Sequence, residues 1–202
     1  MKIFYILFLF LICSCRTVLK SVYGIHQPGL EKVNNLNPYL YSLGTTDTLY
    51  SYFCNDTASL YKVFQISGGL PDIISFNSKG NSVSYKTHEK QCNGKVSEFL
   101  TKGNKLDSLD SEFPHYVFSL ATFLNLMRPI HEVNLSTNTN KPVVIILWSK
   151  WIGQKLNKEK TISWVSEVKG SGKNYIIAFL NLDFLSEWGI SKKDIPKFEY
   201  KN

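Results

Sequence analysis

Four cysteines and four histidines are the side chains of widest chemical range in this sequence. A thiolate can attack carbonyls, exchange disulfides or bind metal, and an imidazole can move protons or ligate. The thiols are Cys13, Cys15, Cys54 and Cys92, and the imidazoles are His26, His88, His115 and His131. His88 and Cys92 have an i, i+4 spacing, but neither a C-x-x-C pair nor a zinc-ligand cluster accompanies them, so no metal site is expected. Gly-x-Ser-x-Gly, His-Glu-x-x-His and phosphate-cradling glycine loops are absent, which removes the best-known hydrolase and nucleotide signatures. Asp107 and Asp110 lie in a polar stretch and read as solvated. No catalytic residue is assigned and no cofactor is expected.

The thiols can be placed only by reading the N-terminus. Lys2 precedes ten uninterrupted apolar residues, Ile3 to Ile12, and then Cys13, Ser14 and Cys15. This is the charged and apolar layout of a signal peptide, and it falls short of the roughly 20 residues that a helix needs to span a bilayer. Ile12-Cys13-Ser14-Cys15 resembles the lipobox of bacterial lipoproteins. The resemblance implies that 1–14 is a signal peptide and that Cys15 carries lipid, palmitate included. It also implies a protein anchored to the membrane in the bacterial cell envelope, facing the periplasm. Cys54 and Cys92 would then be the thiols left in the mature chain. An oxidising compartment favours a disulfide between them, worth roughly 3–4 kcal/mol by the chain-entropy account. Two separate, buried, reduced cysteines are the alternative.

The chain has 202 residues, 44% hydrophobic and 19% charged, with 14% aromatics and a net charge of +7. These values exclude disorder, collagen, a multi-span membrane protein and a large multidomain enzyme. Lysines are spread from Lys20 to Lys201 without a block of like charge, so no nucleic-acid partner is implied.

Positioning elements follow from pattern. Residues 15–44, rich in Gly, Pro and Asn, read as a tether, and 45–202 as a single domain. Within it, strands are expected at Thr48 to Phe53, Asp72 to Asn77, Ser82 to Thr87 and Tyr175 to Leu182. Val143 to Leu147 has the continuous apolar run of a central strand covered on both faces. Helices are expected at Ala58 to Ile66, capped by Asn55-Asp56-Thr57, and at Gly94 to Lys102. A further helix starts at Asn157 or Thr161 and runs through Val168, and a short one covers Asp183 to Trp188. A helical insertion near 104–140 is expected around Phe113 to Met127, with Leu135 to Pro142 a loop. Asn77 to Asn81 reads as a hairpin turn. The alternation describes an α/β fold with a mixed β-sheet flanked by helices.

Trp148-Ser149-Lys150-Trp151-Ile152-Gly153-Gln154-Lys155, directly after the central strand, resembles the thioredoxin active-site turn, Trp-x-x-Trp-Cys-Gly-x-Cys. Trp148, Trp151 and Gly153 match, while Ile152 and Lys155 occupy the two cysteine positions. Leu70-Pro71 before its strand, and the segment from Leu180 to Gly189 with Ile195-Pro196 behind it, resemble the family's cis-proline region, making Pro71 and Pro196 candidate cis prolines. In the family the cis-proline half follows the active-site turn, whereas Pro71 precedes it here. The resemblance therefore implies a thioredoxin-like or rearranged thioredoxin-like sheet whose turn is redox-dead, because neither Ile nor Lys can act as a thiol. It leads to the expectation of a non-catalytic scaffold that binds a protein partner, as an assembly factor or immunity-type protein. The alternative is an envelope thiol-disulfide redox protein working through Cys54 and Cys92.

Overall fold

Val143–Trp148 is a strand without an exposed residue in a computed structural model of the chain, which describes residues 20–45, 48–67, 69–86, 93–102 and 118–197. In chain order the strands are β1 (Leu30–Glu31), β2 (Ser51–Cys54), β3 (Asp72–Phe76), β4 (Ser82–Val83), β5 (Met127–Pro129), β6 (Val143–Trp148), β7 (Ile176–Asn181) and β8 (Phe184–Leu185). The helices are α1 (Leu36–Ser42), α2 (Thr57–Ser67), α3 (Val96–Lys102), α4 (Leu120–Leu124) and α5 (154–170). Six strands form one mixed sheet in the order β4-β3-β6-β7-β2-β5. Strands β6, β7 and β2 run parallel, and β3 and β5 are antiparallel to their inner neighbours. The fold is α/β, a mixed sheet flanked by helices, an arrangement consistent with a thioredoxin-like or rearranged α/β fold.

Side chains of a strand alternate between faces, so β6 feeds two cores. Val143, Ile145 and Leu147 pack with Leu60 and Val63 of α2 and with Leu120 and Phe123 of α4. Val144, Ile146 and Trp148 pack with Leu36 and Leu40 of α1, Val96 and Leu100 of α3, and Trp164, Val165 and Val168 of α5. A strand covered on both faces needs apolar residues at every position, which is why this run shows no polar alternation.

Local chemistry sets the boundaries of α2 and of the β3–β4 hairpin as the sequence suggests. The Ser59 amide donates to Asp56 Oδ1 at 2.7 Å, which caps α2. This bond holds the Asp56 carboxyl below its ordinary value. Replacing Asp56 by alanine is expected to cost about 1 kcal/mol at neutral pH. The sign of the pH dependence follows from the lowered value. The cap's contribution is complete above the unfolded carboxylate range of about 3.9 and is lost as pH falls through the native value. Urea melts of both proteins should therefore converge in acid. In the hairpin, the Asn77 amide donates to Asn81 O at 2.9 Å, and Gly80 takes φ +77°.

Several expectations are corrected. Residues 20–44 do not form a tether but belong to the domain. Leu36, Leu40 and Leu43, at helical spacing, are buried, and β1 pairs in parallel with β8. Pro38 sits in the first turn of α1, where amides have no intrahelical acceptor to lose. The described part of the 104–140 insertion holds only the five-residue α4, capped by Ser119, while Met127–Pro129 joins the sheet as edge strand β5. Pro129 is tolerated there because an edge strand has one unpaired side. Phe113 to Val117 lies outside the described residues. Asn157 and Thr161 do not start a helix. Both are buried within α5, which consists of Gln154–Leu156, a π segment Asn157–Ile162 and Ser163–Gly170. Asp183 to Trp188 divides into β8 and a 3-10 turn, Ser186–Trp188, because Phe184 and Leu185 pair with β1.

Candidate functional site

The carboxyl ends of parallel strands are where open α/β sheets usually place their chemistry. Here Trp148, Asn181 and Phe53 lie side by side on β6, β7 and β2. The turn that leaves β6 is the one resembling the thioredoxin active site. It runs through Ser149, a 3-10 turn Lys150–Ile152, and Gly153 into α5. Both tryptophans of the turn serve packing. Trp148 is fully buried and its ring stacks on Tyr39 of α1, with centroids 5.7 Å apart and planes within 5°. Trp151 and Ile152 are buried as well.

A carboxylate missed at the sequence level organises this turn. Asp183, buried just past β7, accepts from Ser149 Oγ at 2.5 Å, from the Lys150 amide at 3.0 Å and from Asn181 Nδ2 at 2.7 Å. Burial pushes its carboxyl above the ordinary value, against the opposing pull of these hydrogen bonds. The sequence signal was an aspartate standing between Leu182 and Phe184, where solvation is unavailable. Asn157 completes the frame by donating from Nδ2 to Ser149 O at 2.8 Å and to Gly153 O at 3.0 Å. The Lys150 ammonium pairs with Glu31 at 2.5 Å. The Ser149 hydroxyl meets the carboxylate directly, with no imidazole between them, so the arrangement is not a Ser-His-Asp relay. His131 bonds Asn37 and His26 bonds Gln27 O.

The open side of the turn is covered by residues 20–26. A Cβ added to Gly153, whose φ is +89°, would stand 1.9 Å from Tyr23 O, so the strap's backbone lies directly against this glycine. The His26 amide donates to Trp151 O at 2.9 Å. Lys155 projects outward, with its ammonium 5.3 Å from the Tyr23 ring centroid and 3.9 Å from Glu159.

Of the two candidate cis prolines, Pro71 follows a cis bond and Pro196 does not. Ile195 is extended and Pro196 lies outside the sheet, where nothing offsets the ordinary trans preference. Strand β3 pairs Asp72 with Leu147, so continuing the register places Pro71 opposite Trp148. The two segments that carry the thioredoxin resemblance are therefore neighbours in space, in reversed chain order. Asp72 is buried there and held by Lys86 Nζ at 2.8 Å and the Tyr85 hydroxyl at 2.5 Å.

Cys54 ends β2, two strands from the turn, and its side chain enters the opposite core from Trp148. It is a free thiol with no exposed surface, and burial pushes its pKa far up. A neutral, enclosed thiol is a poor nucleophile. Iodoacetamide is therefore expected to leave Cys54 unmodified in the native protein and to modify it fully in denaturant, read by peptide mass. Rapid native alkylation would contradict the burial. Cys15 and Cys92 lie outside the described residues. Among the described residues no group of three His, Cys, Asp or Glu side chains could hold a metal ion, and no helix is long and apolar enough to cross a membrane.

At the opposite end of the sheet, a cavity of about 510 Å³ opens beside the start of β7, with Tyr50, Lys141, Lys169 and Lys173 among its lining residues. No protein-family model, curated protein or solved structure matches the chain.

Proposed function

We propose that this protein is a lipid-anchored component of the bacterial cell envelope, facing the periplasm, that uses a redox-inactive thioredoxin-like scaffold to bind a protein partner, as an assembly factor or an immunity-type protein. One observation supports the scaffold reading above the others: the two positions that would carry sulfur are a buried Ile152 and an outward Lys155, beneath a strap packed on Gly153. Thiol-disulfide exchange requires an attacking thiolate and a resolving thiol, and the turn has neither. The redox alternative through Cys54 and Cys92 is disfavoured by the enclosure of Cys54. The anchoring part of the proposal rests on the lipobox-like Ile12-Cys13-Ser14-Cys15.

The test combines two measurements on protein extracted from membranes. Intact mass should show an acylated chain beginning at Cys15, and covalent crosslinking in cells should capture one discrete protein in stoichiometric amount. In a dithiol-driven insulin-reduction assay the protein should give no rate above the uncatalysed background. A lipid-free mass would overturn the anchor, and catalysed reduction would overturn the scaffold reading.

A further inference from the structure

We propose that the strap-covered end of the sheet sits against the anionic head groups of the membrane, so that the cavity-bearing end points away from the bilayer; the inference rests on lipid attachment at Cys15. It follows from the packing of residues 20–44 into the domain. The described residues begin at Lys20, and residues 20–26 are fixed on the turn through the Tyr23–Gly153 contact and the His26–Trp151 hydrogen bond. Only residues 16–19 separate the lipidated cysteine from that strap. Five peptide steps from Cys15 to Lys20 reach at most about 18 Å even when fully extended. The domain therefore cannot swing through arbitrary orientations, and the end that carries the strap is the end brought to the lipid.

That end carries basic side chains for an anionic surface, as the cavity end does with Lys141, Lys169 and Lys173, so the short connection to Cys15 and not charge selects it. Lys155 is half-exposed, Lys158 follows it one helical turn later and is exposed, and Lys20 lies on the strap itself. Val22, 48% exposed on the same strap, offers an apolar contact for the head-group region. Basic side chains this close to the bilayer lie within its surface potential, which decays over about 10 Å at 0.1 M salt. The six residues of β6 span about 20 Å; Lys141 lies two positions before β6, and Lys155 lies beyond its other end, past the turn and at the start of α5. A protein partner approaching from the aqueous side would meet the cavity end, with Tyr50, Lys141, Lys169 and Lys173.

The orientation is read with a fluorophore placed by Lys155→Cys or by Lys141→Cys in a Cys92→Ser background, where Cys54 is enclosed. Each acylated protein is extracted from membranes, checked by mass, and reconstituted into phosphatidylethanolamine vesicles containing phosphatidylglycerol and a head-group spin label. Quenching should be severalfold stronger at 155 than at 141, and the excess should persist when phosphatidylglycerol is replaced by phosphatidylcholine, because the short connection to Cys15 sets it. Equal quenching, or stronger quenching at 141, on a chain whose mass shows the lipid would overturn the orientation alone. A lipid-free mass would overturn the anchor reading and the orientation with it.

Discussion

Replacing Gly153 by alanine is expected to lower the melting temperature by about 6–12 °C and to expose residues 20–26 to protease. The new Cβ would meet backbone atoms, Tyr23 O at 1.9 Å and the carbonyl carbons of Tyr23 and Gly24 at 2.8 Å, so no side-chain rotation can relieve it. An L-residue held at φ +89° adds about 1–3 kcal/mol of strain. Displacing the strap then removes the hydrogen bond from His26 to Trp151 and the contact of Lys155 with Tyr23. Together these terms come to about 3 kcal/mol, and in a chain of this size each kcal/mol moves the melting temperature by roughly 2–4 °C. The Gly29→Ala variant is the control. Its Cβ would meet nothing within 4 Å, and a change within about 0.5 kcal/mol is expected. Equal melts for both variants would show that the strap does not depend on this glycine.

Asp183→Ala carries the second large effect, because the carboxylate is the common acceptor of three donors in a site without water access. Truncation leaves the Ser149 hydroxyl, the Lys150 amide and the Asn181 amide unmatched, at about 1–3 kcal/mol for each buried group. Removing a buried charge returns part of that, for a net loss of about 3 kcal/mol in urea melts at neutral pH. Asp183→Asn preserves volume but turns an acceptor into a donor that faces other donors, so an intermediate loss is expected. The pH dependence has the opposite sign from that of Asp56. Burial raises the native pKa of Asp183, so the folded state holds its proton after the unfolded chain has released it. The protonation-linked part of its contribution is therefore greatest below the unfolded value of about 3.9 and is lost as pH rises through the native value. Subtracting the pH profile of the Asn variant from that of the parent isolates this slope. A difference that grows more stabilising with rising pH would mean that the hydrogen bonds outweigh burial.

Both predictions concern the same few residues, those of the turn that resembles a thioredoxin active site. Where that family presents sulfur to solvent, this chain has a buried Ile152, a carboxylate that ties Ser149 and Lys150 to the next strand, and its own backbone laid over Gly153. The Glu31–Lys150 ion pair adds little energy by itself, since both partners are about one-fifth exposed, but it ties the segment leading to α1 to the turn.

What the sequence determined by itself is what depends on near neighbours. The continuous apolar run of β6 announced a strand covered on both faces. The Asp56 cap marked the start of α2, and Asn77 to Asn81 marked the hairpin, because capping and turn bonds join residues a few positions apart. Leu70-Pro71 was legible as a cis candidate only through the resemblance of its segment to the thioredoxin cis-proline strand. Tertiary structure alone decided the rest. Glu31 meets Lys150 across 119 residues and Leu135 bonds Tyr52 across 83, and local periodicity holds no record of such pairings. Residues 20–44 looked like a tether because their Asn, Pro and Gly content obscured the spacing of Leu36, Leu40 and Leu43, whose burial needs a sheet formed by residues far along the chain. Met127–Pro129 became a strand because β2 offered an open edge. Asp183 became the anchor of the turn because the parallel pairing of β6 with β7 brought Ser149 and Lys150 to it, and a buried carboxylate is stable only where donors have been assembled around it.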